Sequence, residues 1–427
     1  MEAYLDNAAT TRVSENAAKI AEIVMRQDFG NPSSKHIKGF DAEQYIKSSS
    51  KIIADTLKVQ PKEIIFTSGG TESNNMALFG AALANKRKGN KIIASCFEHA
   101  SVYSPLLSLK DFDFEVEFAP VDELGRIKLD ELLKMIDDRT ILISIMYVNN
   151  EIGAVQDIAG ISKAIKEKKS DIIFHVDAIQ AYGKYRIYPK KEGIDLLSVS
   201  GHKIHAPKGS GFLYVDEKVK LRPLIFGGGQ QKNRRSGTEN VPSIAGLGVA
   251  VAEMYEDYRS LAELGFERNG AKAGEDRSSS AAYDEKINKL YNLKKHFIER
   301  INEVKGAHLN AVFGSMENAE RSFDLEWQEK CIRRTAPHIV SVSFEKIKAE
   351  VLLHALEEKG VYVSSGSACS SNHPGLSSTL QAIGVKKELL DSTLRFSFSV
   401  NTTIEEIDYA VDVLKELVPV YSRFVRR

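Results

Sequence analysis

The chain has 427 residues, of which 43% are hydrophobic and 27% are charged. This length exceeds that of one small hydrophobic core and predicts two or three domains in a globular protein. Lys plus Arg and Asp plus Glu both number 58, so no net charge favours nucleic acid or an anionic membrane as a partner.

Short apolar stretches alternate with amphipathic stretches in the first half of the chain. The predicted strands cover residues 63–66, 91–94, 114–118, 141–148, 172–176, 196–199 and 211–215. Helical periodicity, with charge on one face, covers residues 72–88 and 157–168. This alternation predicts βαβ units, and hence an α/β fold with a mainly parallel sheet.

The pattern changes near residue 253. Helices are predicted over residues 286–304, 349–358 and 404–417, and strands over residues 338–344 and 361–363. These elements are typical of a smaller α+β domain. Residues 265–284 are rich in Gly, Ala, Ser and charge and predict a loop or insertion, whereas residues 315–336 receive no assignment.

Asp177 and Lys203 follow two of the predicted strands, 172–176 and 196–199. In open α/β sheets, ligands bind where the strands end. An acid that holds a pyridinium nitrogen and a lysine that forms a Schiff base are the protein's part in pyridoxal-phosphate chemistry. Taken alone, the pair is equally consistent with a capping aspartate and a surface lysine.

Three further motifs also follow predicted strands. Gly70 and Thr71 open a helix whose free N–H groups can bind phosphate, although a plain helix cap explains them too. His99 can stack on a planar cofactor and move protons, or it can be a capping or core histidine. Asn150 can bind a phenolate oxygen or a carboxylate, or form a turn.

Cys369 lies in a loop of serine, glycine and alanine rather than among apolar residues, which predicts an accessible thiol and suits a nucleophile. Arg395 lies in an apolar strand and can bind a carboxylate through two hydrogen bonds, or form a structural salt bridge. The glycine-rich loop 227–240 contains two arginines and can cover a phosphate, cross to another subunit or serve as a linker.

The other two cysteines, Cys96 and Cys331, are interpreted as structural. Three widely separated cysteines argue against a disulfide framework and predict a reducing, cytoplasmic environment. No pair has the spacing of metal ligands, so no metal site is predicted. The chain has no apolar stretch near the ~20 residues of a membrane span, and it begins without the pattern of a secretory signal.

Together, these motifs resemble those of a known family. They occur in order at residues 4–11, 30–34, 68–75, 98–100, 148–156, 175–183, 200–209, 235–241 and 364–371. The set resembles the NifS/IscS-like cysteine desulfurases of the class V aminotransferase family. The resemblance covers nearly the whole chain, apart from about residues 265–284 and 315–336.

The resemblance implies a PLP-transferase fold of the aspartate-aminotransferase type, fold type I. In this arrangement residues 1–14 form an N-terminal segment that packs on the small domain. Residues 15–252 form the large domain, which binds pyridoxal 5'-phosphate (PLP). Residues 253–427 form the small domain, which carries the Cys369 loop.

The resemblance also implies roles for individual residues. Lys203 is expected to be the Schiff-base lysine and Cys369 the nucleophile, with His99 stacked on the cofactor ring and exchanging protons. Asp177 is expected to hold the pyridine nitrogen, and Gln180 to face the phenolic oxygen. The phosphate is expected to contact Gly70, Thr71, Ser200, His202 and Thr238. The substrate carboxylate is expected to contact Asn150 and Arg395.

The implied reaction removes sulfur from L-cysteine, leaving L-alanine and a persulfide on Cys369. The implied partners are a second copy of the chain, with the Thr238 loop crossing the interface, and a sulfur-acceptor protein. That acceptor serves iron–sulfur assembly or the thiolation of transfer RNA or a cofactor. Two alternatives remain open: another enzyme of this fold, such as a selenocysteine lyase or an aminotransferase, and a catalytically silent scaffold.

Overall fold

The computed structural model describes residues 1–256, 279–313, 325–365 and 376–423. Its strands are β1 (Ala3–Tyr4), β2 (Ile64–Thr67), β3 (Lys91–Ser95), β4 (Glu115–Ala119), β5 (Thr140–Met146), β6 (Ile173–Asp177), β7 (Leu196–Ser200), β8 (Gly211–Val215), β9 (Ala307–Leu309), β10 (Ile339–Phe344), β11 (Val361–Tyr362), β12 (Ser364–Ser365) and β13 (Thr393–Ser397).

The helices, which are joined in places by short 3-10 turns, are numbered in the same way. They are α1 (Glu15–Arg26), α2 (Ile37–Leu57), α3 (Gly70–Asn85), α4 (Ala100–Leu109), α5 (Leu129–Met135), α6 (Ile158–Lys168), α7 (Pro189–Glu192), α8 (Gln230–Asn233), α9 (Val241–Met254), α10 (Ser279–Ile301), α11 (Leu325–Arg333), α12 (Ala349–Glu358), α13 (Ser378–Ala382) and α14 (Ile404–Tyr421).

Seven strands form the larger sheet, in the order β2-β8-β7-β6-β5-β3-β4. The five strands from β7 to β4 are parallel, which confirms the predicted mainly parallel sheet. Strand β8 runs antiparallel to both of its neighbours. The connection from Ser200 to Gly211 is too short for the helical crossover that a parallel neighbour of β7 would require.

Both faces of this sheet are covered. One face packs in a core with α1, α2 and α9, to which Ile20, Ile53 and Val249 contribute. The other face packs against α3 and α4, through residues that include Leu78 and Leu106. Burial on both faces explains why the central strands are apolar without alternation.

A four-stranded antiparallel sheet, in the order β12-β13-β10-β9, forms the centre of the C-terminal part. It shares a separate core with α10, α12 and α14, in which Phe297 and Phe396 are fully buried. Strand β1 pairs with β11, and Leu5 is buried in this same core. We propose residues 14 and 252 as the domain boundaries, and the separate core of the smaller sheet supports this division. Tyr283 and Ile339 of the smaller domain nevertheless pack in the core of the larger one.

One predicted loop is partly wrong. Of residues 265–284, those up to 278 lie outside the described residues, but α10 already begins at Ser279. Alanine favours a helix there, and Tyr283 is buried in a stack on Tyr255, so packing extends the helix. In the unassigned segment 315–336, α11 covers Leu325–Arg333. No helix in the described parts of the chain is long and apolar enough to cross a membrane.

Candidate active site

A cavity of about 190 Å³ lies at the edge of the large sheet where β2, β3, β5, β6 and β7 end. Its lining includes all the predicted site residues except Thr238 and Cys369, namely Gly70, Thr71, His99, Asn150, Asp177, Gln180, Ser200, His202, Lys203 and Arg395. The turns that follow parallel strands meet at one edge, so residues distant in sequence converge there.

Asp177 is the last residue of β6 and is buried at the base of the cavity. Its carboxylate accepts hydrogen bonds from the backbone N–H of Ile179 (3.0 Å) and from Asn74 Nδ2 (2.8 Å). Burial raises the pKa of Asp177, and these hydrogen bonds, with the nearby His99 and Lys203, oppose that rise. Such a buried carboxylate is stabilised further by a cationic group placed beside it in the cavity.

Lys203 follows β7 in a 3-10 turn, and its Nζ lies at the cavity wall. Nζ donates to the backbone oxygens of Ala8 (2.6 Å) and Ala9 (2.5 Å). The same N-terminal stretch holds the turn itself, because Thr11 donates through its N–H (2.9 Å) and its hydroxyl (3.0 Å) to the carbonyl of His202. The lysine is therefore positioned by a segment almost 200 residues earlier in the chain.

His99 caps the N-terminus of α4 and faces the cavity. Its Nδ1 accepts the backbone N–H of Ser101 at 3.1 Å and lies 2.8 Å from the Ser101 hydroxyl. Burial lowers the pKa of His99 and favours the neutral ring, whose proton is then on Nε2. Asn74 Nδ2 also bonds to the Ser101 hydroxyl (2.9 Å), so one buried amide connects His99 with Asp177.

The N-terminus of α3 forms the opposite end of the cavity. Gly69 has a φ of 142°, which a residue with a side chain rarely adopts. A Cβ on Gly70 would lie 2.2 Å from Ile179 Cδ1, so any larger residue here would require Ile179 or the helix terminus to shift. The exposed N–H groups of the helix, with Ser200 and His202 across the cavity, suit a phosphate group.

Arg395 enters the cavity from β13 of the smaller sheet and is buried. Its guanidinium donates to the backbone oxygen of Asn150 (2.9 Å) and to Asp6 Oδ1 (2.8 Å). Within the described residues, its Nε has no hydrogen-bond partner. This geometry places an oriented cation beside the cavity, where a carboxylate can bind.

Glu98 is a buried residue that the sequence analysis did not assign to the site. Its Oε1 accepts from the backbone N–H of Met146 (2.7 Å) and from the hydroxyl of Ser95 (2.5 Å). Burial, with a smaller contribution from Asp177, raises the pKa of Glu98 to about 8. Because these bonds join the ends of β3 and β5, Glu98 fixes the backbone on one side of His99.

Of the predicted site residues that the structure describes, Thr238 is the one absent from the cavity lining. Thr238 is exposed and lies in the loop that Arg235 ties to α3 through Glu72, with Nε 2.8 Å from the carboxylate. Cys369 lies outside the described residues. Of the two cysteines that are described, Cys96 is half-buried and Cys331 is buried, and burial raises the pKa of both thiols.

No cluster of His, Cys, Asp and Glu within the described ranges has the arrangement of a metal site.

The ends that flank the segment containing Cys369 are held beside the cavity. Ser364 of β12 pairs with Arg395, so the chain enters this segment next to the cavity wall. After the segment, Ser377 donates to Glu151 Oε2 (2.6 Å), and Glu151 directly follows Asn150 in sequence.

Comparisons with known proteins agree with this geometry. The sequence matches the family profile "Aminotransferase class-V" over residues 3–269 and 292–410. It is 40% identical over 419 residues to "Cysteine desulfurase IscS" of Methanosarcina thermophila, covering 97% of this chain and 91% of that protein. The chain therefore belongs to the class-V aminotransferase family, in its cysteine desulfurase branch.

Solved structures show the same relationship. A structure titled "NIFS-LIKE PROTEIN" superposes with a TM-score of 0.82 at 31% identity, covering 98% of this chain and all of that one. Another, titled "SspA in complex with cysteine", gives a TM-score of 0.73 at 30% identity and covers 94% of this chain and all of that one. These matches confirm the predicted fold type I architecture, with its large mainly parallel sheet and smaller antiparallel sheet.

Proposed function

We propose that this chain is a PLP-dependent cysteine desulfurase that converts L-cysteine to L-alanine and transfers the sulfur to Cys369. The carrying observation is the convergence of Lys203, Asp177 and Arg395 on one cavity from two sheets. A lysine, a buried acid and a carboxylate-binding arginine at these positions match a cofactor with an amino-acid substrate. The names of the relatives, and the cysteine complex of the SspA structure, support the choice of substrate.

The residues around the cavity fit PLP. Asp177 would hold the pyridinium nitrogen, Gln180 the phenolic oxygen and His99 one face of the ring. The phosphate would bind at the N-terminus of α3 with Gly70, Thr71, Ser200 and His202. When bound, PLP withdraws electrons from the substrate α-carbon, which acidifies its proton and weakens the bond from the β-carbon to sulfur.

Lys203 moves the α-proton in this proposal. Its Nζ donates hydrogen bonds to two backbone oxygens. These carbonyl oxygens hold the amine in place, but they are too weakly basic to take a proton from the substrate themselves. As a free amine, Nζ would take the proton from the substrate α-carbon. Arg395 and Asn150 hold the substrate carboxylate, which keeps that proton directed toward Nζ.

Cys369 receives the sulfur. Its thiolate attacks the substrate sulfur, so that a sulfur–sulfur bond forms and the bond from sulfur to the β-carbon breaks. The electron pair of the broken bond stays on carbon, which takes up a proton and becomes the methyl group of alanine. His99, neutral and protonated on Nε2, is suited to exchange protons near the leaving sulfur. The raised thiol pKa of Cys96 and Cys331 argues against either as the nucleophile.

We further propose a homodimer, in which Thr238 completes the phosphate site of the partner subunit. Thr238 is exposed, and Leu224, Ile225 and Phe226, just before its loop, expose large apolar side chains. Apolar exposure of this kind is typical of a protein–protein interface. The persulfide would then pass to an acceptor protein, and we propose a cytoplasmic location for both steps.

Replacement of Cys369 by serine tests this function. Supplied with PLP, L-cysteine and a thiol reductant that reduces the Cys369 persulfide to thiol and sulfide, the wild-type protein should absorb visible light and form alanine and sulfide in equal amounts. Cys369→Ser should keep the visible absorbance and lose sulfide release, whereas the control Cys96→Ser should keep both. A wild-type protein that takes up no PLP would contradict the proposal. Faster turnover of selenocysteine than of cysteine would instead indicate a selenocysteine lyase.

A further inference from the structure

The amide of Gln180 has one fixed orientation in this structure. Its Nε2 donates to the backbone oxygen of Ala8 (2.9 Å), and its Oε1 lies 3.1 Å from His338 Nε2. A backbone carbonyl can only accept, so the NH2 group must face Ala8 and the amide oxygen must face the histidine. His338 Nε2 must therefore carry the proton and donate to Gln180.

His338 is itself held rigidly, directly before β10. Only 2% of its surface is exposed, and its backbone oxygen accepts the N–H of Phe398 at 2.9 Å. Within the described residues its Nδ1 has no hydrogen-bond partner, which suits an unprotonated nitrogen better than a second N–H. The ring thus has a single donor, and that donor faces Gln180.

The charges around His338 favour the same protonation state. Burial lowers the pKa of His338 well below its ordinary value, and four nearby cations, Lys184, Lys294, Arg395 and Lys203, add to the effect. The ring therefore stays neutral near pH 7. A neutral ring with its proton on Nε2 is the state that the Gln180 geometry requires.

We propose that His338 is a positioning residue that acts through Gln180. His338 lies outside the lining of the main cavity, whereas Gln180 is part of it. By fixing the amide oxygen, His338 leaves the second N–H of Gln180 available to the cavity. There it would donate to the phenolic oxygen of PLP, so this inference rests on the proposed function.

The expected effect is spectroscopic. A hydrogen bond to the ionised phenolic oxygen stabilises that form, so the visible absorbance changes at a lower pH than it would without the bond. Without the His338 donor, the Gln180 oxygen loses its partner and only the hydrogen bond to Ala8 holds the amide, so its second N–H is directed less firmly at the cavity. The pH midpoint is the pH at which half of this absorbance change has occurred. In His338→Leu we expect the pH midpoint to rise by about one pH unit, which is a tenfold change in the acid dissociation constant.

The test is a pH titration of the visible absorbance of the PLP-loaded protein. The variants are His338→Leu, His338→Gln, Gln180→Ala and the double variant Gln180→Ala/His338→Leu. A glutamine places its NH2 group near the position of Nε2, so His338→Gln should recover most of the shift. Gln180→Ala should shift the midpoint upward, and the double variant should shift it no further, because both changes remove one hydrogen bond.

Val340→Ala is the control for damage to packing. Val340 is fully buried on β10, two residues after His338, so its truncation should lower the thermal midpoint and leave the pH midpoint unchanged. A wild-type pH midpoint in His338→Leu, or an equal shift in Val340→Ala, would overturn the inference and leave the proposed function intact. A wild-type protein without visible absorbance would remove the proposed function, and with it this inference.

Discussion

The buried Arg395 of the smaller sheet forms an ion pair 2.8 Å long with the partly exposed Asp6, in the segment that follows β1. The guanidinium donates to Asn150 as well, so its plane is fixed before any substrate arrives. A planar fork with two fixed partners presents a defined edge to a carboxylate, which a flexible ammonium group cannot do.

Arg395→Lys should therefore weaken substrate binding more than it slows the chemical step. We expect KM for cysteine to rise by about 10- to 100-fold, the range for loss of one charge-assisted hydrogen bond, while kcat changes little. Steady-state kinetics measure both constants. Arg300→Lys, at a surface ion pair with Asp412, is the matched control and should behave as wild type. A fall in kcat with an unchanged KM would contradict the role in binding.

Gly70→Ala should weaken cofactor binding by about fivefold, the low end of the cost of overpacking. The added Cβ would lie 2.2 Å from Ile179 Cδ1, so either the helix terminus or Ile179 must shift at the phosphate end of the cavity. Ile179→Val removes the atom in conflict, so the double variant Gly70→Ala/Ile179→Val should recover part of the lost affinity. Titration of the apoprotein with PLP gives the dissociation constants, and equal affinities for the single and double variants would refute this steric explanation.

Glu98 should make stability depend on pH. Its pKa is about 8 in the folded chain, against an ordinary value of 4.5. The folded protein therefore binds this proton more tightly, and the resulting stabilisation is complete below about pH 4.5 and lost as the pH rises through about 8. In Glu98→Gln, the hydrogen bonds can form without titration.

Calorimetry of both proteins from pH 5 to pH 8 measures this difference. The wild-type protein should lose stability relative to Glu98→Gln by up to a few kcal/mol over that window. Other groups titrate equally in both proteins and cancel in the comparison. Parallel curves would show that Glu98 is ionised in the folded state.

Ser377→Ala should slow sulfur transfer to Cys369 by several-fold. The serine hydroxyl bonds to Glu151 at 2.6 Å, which fixes the described chain just after the segment that contains Cys369 beside the cavity, and catalysis depends on such fixed positions. Single-turnover persulfide labelling measures the rate, and the visible absorbance of the cofactor should be unaffected. Ser422→Ala, in the partly exposed turn after α14, serves as the control.

The sequence predicted the central strands because their burial leaves a continuous apolar signal. Strand β7, predicted over residues 196–199, extends over Leu196–Ser200, and β8 has the predicted bounds. The antiparallel direction of β8 was not predicted, because an apolar pattern reads the same in both directions. Its short connection to β7 was the available signal.

The residues that the sequence analysis missed act through distant contacts. Ala8 holds Lys203 through its backbone oxygen, and no sequence pattern indicates such a contact. His338 contacts Gln180, which lies 158 positions earlier in the chain. Glu98 could have been identified from the sequence, because it is a carboxylate that closely follows an apolar strand and directly precedes His99. Asn74 likewise lay within a recognised motif, but its connection between Asp177 and Ser101 required the folded structure.

The N-terminal stretch has a consequence for biosynthesis. Ala8 and Leu5 are bound to Ser397, through Ala8 N–H to the serine hydroxyl (2.8 Å) and Ser397 N–H to the oxygen of Leu5 (2.7 Å). Ser397 lies 392 positions after Leu5 in the chain, so a ribosome completes residues 15–252 well before Ser397 is available to hold the wall behind Lys203. Closure of that wall during synthesis therefore waits for β13.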